Sequence, residues 1–152
     1  MNLFYRKYGQ GPAVVILHGI FGISDNWVSI AKKLEKDYTI YLPDIRNHGQ
    51  SPHSMEFDYD FIVNDVKKLF DDLSLEKVIL IGHSMGGKTA MHFVSKYPEN
   101  VIKLVVVDIA PRYYKTNHQK IITGLKLLDL QNMQKRTEAD EQLSGYIEDT
   151  GV

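Results

Sequence analysis

The stretch K-V-I-L-I-G-H-S-M-G-G-K-T, residues 77–89, decides how the chain is read. Val78, Ile79, Leu80 and Ile81 form a short apolar run rich in β-branched residues, the pattern of a strand buried on both faces of a parallel sheet. The motif G-x-S-x-G follows at Gly82, His83, Ser84, Met85 and Gly86, with a further glycine at Gly87. Glycines let the backbone double back within a few residues. Ser84 is therefore expected to project from a sharp turn, while Met85 opens a helix whose first N–H groups have no partner inside the helix. That is the geometry of a nucleophile elbow. The motif alone arises by chance in about one sequence in twenty-five of this composition, so its weight comes from the strand before it and the helix after it.

Outward from the elbow, short apolar runs alternate with amphipathic segments. Before it, residues 2–8 suit an outer strand closed by the turn cluster Gly9, Gln10, Gly11, Pro12, and residues 13–17 a buried strand leading into the glycine-punctuated loop His18, Gly19, Ile20, Phe21, Gly22. Ser24 or Asp25 suits the cap of a helix carrying Trp27, Ile30, Ala31 and Leu34 on one face. A core strand over 39–42 is broken by Pro43 and followed by a polar loop over 44–52, in which Asp44 and Arg46 are expected to pair and Ser51 to bond backbone. The spacing of Phe61, Ile62, Asp65, Val66, Leu69, Phe70 and Leu73 predicts a long helix over 57–73. After the elbow come a helix over 85–96, ended by Tyr97 and Pro98, and an apolar strand over 104–107 that ends at Asp108. The alternation argues for an α/β fold with a mostly parallel sheet covered on both sides.

Beyond Pro111 the pattern changes. Two helical segments follow with no strand between them, one over 116–128 with Ile121, Ile122, Leu125 and Leu128 on one face. The other begins near Thr137, a candidate cap, and carries Ala139, Leu143, Tyr146 and Ile147. Inserted after a strand that ends beside the serine, they suit a partial helical lid over 112–152 on a core over 1–111, within one domain.

Composition bounds the function. The chain has 152 residues and a formal net charge of −1, with lysines scattered rather than clustered, which argues against nucleic acid and anionic membrane as partners. Cysteine is absent, so disulfides, thiolate catalysis and cysteine-ligated zinc are excluded. No run has signal-peptide or membrane-spanning length, which gives a cytoplasmic expectation.

Four blocks together carry a family resemblance: L-H-G-I-F-G at 17–22, D-I-R-N-H-G-Q-S at 44–51, G-H-S-M-G-G-K at 82–88, and V-D-I-A-P at 107–111. In their order and spacing the chain resembles the α/β-hydrolase superfamily, and within it the small bacterial YbfF-like serine esterases. The match covers nearly the whole chain and about the N-terminal three-fifths of a complete member. The resemblance implies acyl transfer from an ester or thioester to water, without cofactor or metal, through an acyl-enzyme on Ser84. It also implies an oxyanion hole from the backbone N–H groups of Met85 and Ile20, with Phe21 the alternative for the second, and Asp108 as the acid that orients a histidine, although many members of the superfamily supply that acid one strand later and a loop-capping aspartate is the alternative for Asp108. Phe21, Trp27, Met85, Ile121, Leu125 and Leu128 suit an apolar acyl pocket, or ordinary core packing.

The family's histidine base lies in a loop after the last strand, beyond the end of this chain. Of the six histidines, His18 fits the oxyanion loop, His83 lies inside the elbow pointing away from the serine, His92 sits on the following helix, and His48 and His53 lie in the polar loop without metal-ligand spacing. His118 obeys the order Ser, Asp, His but falls at the lid's first turn. Without the later strands, the edge from Leu104 to Asp108 is left unpaired and invites a second copy or a complementing chain. Two readings result: a serine esterase or thioesterase that is weak or inactive as this chain alone, and a non-catalytic hydrolase domain serving as a binding or assembly module.

Overall fold

The computed structural model describes residues 1–114, 119–129, 133 and 135–144. It divides into two compact units, Met1–Pro111 and Arg112–Val152. The first unit carries a five-stranded sheet in the order β1-β3-β2-β4-β5, built from β1 (Tyr5–Tyr8), β2 (Ala13–Leu17), β3 (Thr39–Pro43), β4 (Val78–His83) and β5 (Val101–Val107). Only β1 runs antiparallel, against β3; the other pairings are parallel.

The strands' two-residue period sorts their side chains into two cores. Val15 and Leu17 of β2, Tyr41 of β3, and Val78 and Leu80 of β4 face one side. There they pack against Ile62, Val63, Val66 and Phe70 of α2 (Tyr59–Asp72) and against Ala90 and Phe93 of α3 (Met85–Lys96). Val14, Ile16, Ile40 and Leu42 face the other side, with Ala31 of α1 (Val28–Leu34) among them and Ile79 and Ile81 packed alongside. Helices thus cover both faces, as the alternating pattern predicts.

Helix α2 shows why its boundaries fall where they do. The Asp58 carboxylate accepts the Phe61 N–H at 2.9 Å and caps the start. At the far end Ser74 turns left-handed (φ 52°), while Leu75 N donates to Phe70 O and Ser74 N to Asp71 O. This is a Schellman stop with serine in the place usually taken by glycine, and Leu75 packs on the core.

Two local expectations are corrected. Neither Ser24 nor Asp25 caps a helix: both lie inside a short 3-10 helix, Ser24–Trp27, where the Asn26 side chain instead accepts the Ile23 N–H at 2.7 Å. Ser24 faces the polar loop, its N–H donated to Asp44 Oδ1 at 2.6 Å, and Asp25 pairs with Arg6 at 2.6 Å. Nor do Asp44 and Arg46 pair. Asp44 takes the backbone N–H groups of Ser24 and Gln50, and Arg46 reaches across to the buried Asp65 of α2 at 2.6 Å. Asp65 also holds the Met1 amino group, and Arg46 Nη1 donates to Glu56 O at 2.7 Å. Ser51 does bond backbone, donating to Asp44 O at 2.5 Å and accepting from Phe4 N at 2.9 Å.

In the second unit, α4 spans Gln119–Leu127 and α5 spans Arg136–Ser144, so Thr137 lies inside α5 rather than capping it. Thr116, His118, Tyr146 and Ile147 lie outside the described residues. Among the described residues no helix is long and apolar enough to cross a membrane.

Removing the Asp65 carboxylate strands the buried Arg46 guanidinium. Asp65→Ala is expected to lower unfolding free energy in urea by about 3–5 kcal/mol, and a loss below about 1 kcal/mol would contradict the assignment of this pair as the loop's anchor.

Candidate active site

At the end of β4 the chain turns on Ser84, whose backbone sits at φ 50° and ψ −115°, and Met85 begins α3 directly after it. A non-glycine residue at positive φ costs on the order of 1–3 kcal/mol, so the surroundings must enforce it. They do so by close backbone packing. A Cβ on Gly86 would collide with Leu17 O and His18 O, and one on Gly82 would strike Gly86 O and lie 2.7 Å from Gly87 Cα. The start of α3 is thereby pressed against the C-terminal ends of β2 and β4. Ser84 N donates to Val107 O at 3.0 Å, and Lys88 N closes the first helical turn on Ser84 O at 3.1 Å.

The loop after β2 lies against the elbow. A Cβ added to Gly19 would sit 3.3 Å from Ser84 Cβ and 2.9 Å from His83 Nδ1. The loop is a turn closed by Gly22 N on Gly19 O at 3.1 Å, with Phe21 at φ 62°. Two imidazoles bridge it to the polar loop. Buried His18 places Nδ1 2.7 Å from Gly19 O and accepts the Ile45 N–H on Nε2 at 2.9 Å. His48 places Nδ1 2.9 Å from Arg46 O and accepts the Phe21 N–H on Nε2 at 3.3 Å. A carbonyl only accepts and an amide only donates, so both rings are neutral with the proton on Nδ1. Burial, reinforced by neighbouring His48, pushes the His18 pKa from 6.5 down to about 4, against the opposing effects of its Gly19 bond and of Asp44.

Asp108 follows β5 directly, in a left-handed conformation (φ 55°), with its carboxylate largely exposed and 3.8 Å from His83 Nε2. The structure therefore gathers Ser84, Met85, Asp108 and the Gly19–Gly22 turn at the C-terminal ends of neighbouring strands. Ile20 is half-buried against the larger core, and Phe21 is 48% exposed. Ile20, Phe21, Ile23, His48 and Phe57 line an open cavity of about 420 Å³. Trp27 packs into the α1-side core, 6.2 Å ring to ring from His83. Ile121, half-buried, and Leu125, exposed, belong to α4 in the second unit. His92 bonds Asp60 at 2.8 Å and His53 is exposed, both away from this constellation's hydrogen bonds. Among the described residues no three potential metal ligands come together.

Sequence reading missed the bond from Phe21 to His48. The signal available was the pair of histidines in two blocks that approach the elbow, His18 and His48, whose rings lie 5.0 Å apart.

A serine at strained φ between a central parallel strand and a glycine-packed helix defines a class of protein. The chain belongs to the alpha/beta hydrolase fold family, whose model matches residues 12–145. It is 40% identical over 142 residues to a putative esterase/lipase of Haemophilus influenzae, covering 93% of this chain and 50% of that protein. It is 33% identical over 148 residues to esterase YbfF of Escherichia coli, covering 97% of this chain and 58% of the other. Among solved structures, a marine microorganism esterase superposes with a TM-score of 0.89 at 45% identity, over 97% of this chain and 59% of that one. The chain thus spans between half and three-fifths of the length of these relatives.

The unfolded chain takes up the His18 proton below pH 6.5 and the folded one only near pH 4. Stability conferred by neutral His18 is complete above pH 6.5 and is lost as the pH falls toward 4, amounting to about 3 kcal/mol. Between pH 7 and 4.5 the wild type should lose about 2–3 kcal/mol more in urea denaturation than His18→Asn loses. Equal losses in the two proteins would contradict the buried neutral imidazole.

Proposed function

We propose that the chain carries the nucleophile half of a serine hydrolase acting on carboxylic esters or acyl thioesters. The carrying observation is the strained backbone of Ser84 at the head of α3. In this reading Ser84 Oγ attacks the acyl carbonyl and passes its proton to a base; the alcohol or thiol leaves with a proton, and water then releases the acid from the acyl-enzyme. The Met85 N–H, at a helix N-terminus, and the Ile20 N–H stabilise the oxyanion. Donation of the Phe21 N–H to His48 favours Ile20 over Phe21 for that second donor. Asp108, exposed at the end of β5, is available to orient a histidine. Ile20, Phe21 and Phe57 around their cavity suit an apolar acyl or alcohol group. The names of the relatives, esterases and an esterase/lipase, support the reaction class.

In this reading the base lies outside the described residues: His18 and His48 are engaged in the loop bridges, His92 in its pair with Asp60, and His83, on the strand before the elbow, lies 3.8 Å from Asp108. The chain alone should therefore be a slow enzyme, resting on its oxyanion hole. A fluorophosphonate probe is expected to label Ser84 slowly, to leave Ser84→Ala unlabelled, and to react faster when imidazole is added as an external base. p-Nitrophenyl butyrate hydrolysis should follow the same order. Labelling that persists in Ser84→Ala contradicts the reading, and complete inertness with and without imidazole favours a non-catalytic binding module.

We also propose that the β5 edge accepts another strand, from a second copy or a complementing chain. β5 ends the strand order, and on it Val105 and Val107 share one face at 38% and 36% exposure while Ile102, at the register shift, is 66% exposed, an apolar edge of the kind that recruits partners. Light scattering after size exclusion should give a mass above that of one chain; a monomer with no cross-linked species would refute this.

A further inference from the structure

We infer that His48 is the positioning residue of the oxyanion loop: by accepting the Phe21 N–H it fixes the Ile20–Phe21 peptide and with it the conformation of the Gly19–Gly22 turn, whose preceding peptide carries the Ile20 N–H offered to the reacting carbonyl oxygen. The inference rests on the serine-hydrolase reading of Ser84 and adds a residue to it.

The physical need for such a residue comes from the turn itself. Gly19–Gly22 is a four-residue turn whose middle peptide joins Ile20 to Phe21, and this peptide is the unit that turns over between the two common turn types. Phe21 has φ 62°, the sign required at the third position of a type II turn and ordinarily supplied there by glycine. A phenylalanine resists that conformation, so an isolated loop of this sequence would relax toward negative φ and rotate the peptide. The His48 Nε2 lone pair, 3.3 Å from Phe21 N, opposes this rotation by holding the amide in its present direction.

His48 is in turn fixed from behind. Its Nδ1–H donates to Arg46 O at 2.9 Å, and Arg46 is anchored by Asp65 at 2.6 Å and by Glu56 O at 2.7 Å. The ring packs between His18 at 5.0 Å and Phe57 at 6.2 Å. A buried ion pair on α2 thus holds a loop carbonyl, the carbonyl orients an imidazole, and the imidazole orients a peptide whose neighbour Gly19 abuts Ser84. His48 acts on the oxyanion through the conformation of this turn and need not touch substrate.

Two substitutions separate this role from simple packing. His48→Gln places an amide oxygen near the Nε2 position and keeps an acceptor for Phe21; His48→Phe keeps the ring and removes the acceptor. The measurements are amide hydrogen exchange at Phe21 and the second-order rate of Ser84 phosphonylation, with melting temperatures as a check on folding. His48→Phe should exchange the Phe21 amide at least tenfold faster and be phosphonylated roughly ten- to a hundredfold more slowly, while His48→Gln stays within about threefold of the wild type on both. Wild-type behaviour in His48→Phe, or a larger loss in His48→Gln than in His48→Phe, overturns the proposal. If His48→Phe does not fold, the wild type still decides: ¹⁵N–¹⁵N coupling across the hydrogen bond from Phe21 N to His48 Nε2 supports the inference, and its absence overturns it. Failure of the wild type to label at Ser84, with or without imidazole, would instead strike the serine-hydrolase reading, leaving the Phe21 exchange and coupling data to judge the peptide clamp alone.

Discussion

Backbone meets backbone without intervening side chains where α3 leaves the sheet, and the position of every other group in the site follows from that contact. With Gly82, Gly86 and Gly87 at the junction, the helix start sits directly on the carbonyls of Leu17 and His18. Any Cβ at Gly86 would lift the helix off β2 and carry the Met85 N–H away from the Gly19–Gly22 turn. The same contact holds Ser84 at a φ that a serine would otherwise avoid, and the bond from Ser84 N to Val107 O ties the turn to β5. Of the five non-glycine residues with positive φ among those described, three stand here: Phe21, Ser84 and Asp108. Backbone strain of this kind clusters at functional sites, and here three strained residues meet at the ends of adjacent strands.

Around this contact the polar loop over 44–52 acts as a frame. Asp44 satisfies two backbone N–H groups, Ser51 links the loop to Phe4, and Arg46 connects it to the buried Asp65 of α2. His18 and His48 then span from frame to the Gly19–Gly22 turn with opposite polarity: His18 carries a bond from the Ile45 amide to the Gly19 carbonyl, His48 from the Phe21 amide to the Arg46 carbonyl. Neutral imidazole suits this duty because it offers one donor and one acceptor at opposite ends of a rigid ring. A carboxylate would only accept and an ammonium would only donate.

What was legible in the sequence was what local periodicity encodes. The short continuous apolar runs of β2 and β4 and the glycine spacing after Ile81 were enough to place the sheet, the elbow and the start of α3. The misread features were hydrogen bonds between segments distant in sequence. Asp44 and Arg46 are close in sequence and opposite in charge, yet Asp44 is drawn to loop amides and Arg46 to a carboxylate 19 residues away, because the folded loop turns their side chains in different directions. Ser24 looked like a cap because caps are usually serine or aspartate. Its neighbourhood was decided instead by Asp44 approaching from another loop. The importance of His48 was illegible for the same reason: its partner Phe21 lies 27 residues earlier and meets it only where strand ends converge. For the proposed site, motif and strand position pointed to Ser84, Met85 and Asp108, which the fold brings to neighbouring strand ends, whereas the bond from Phe21 to His48 was not legible.

On the proposed reading, the Ser84 elbow and the Gly19–Gly22 turn form one preorganised oxyanion site. A crystal structure of the chain after phosphonylation tests it most directly. Phosphorus is expected bonded to Ser84 Oγ, with the phosphoryl oxygen about 2.7–3.1 Å from both Met85 N and Ile20 N, and Phe21 N still on His48. A phosphoryl oxygen directed to solvent, or one that has drawn the Phe21 amide away from His48, would contradict it.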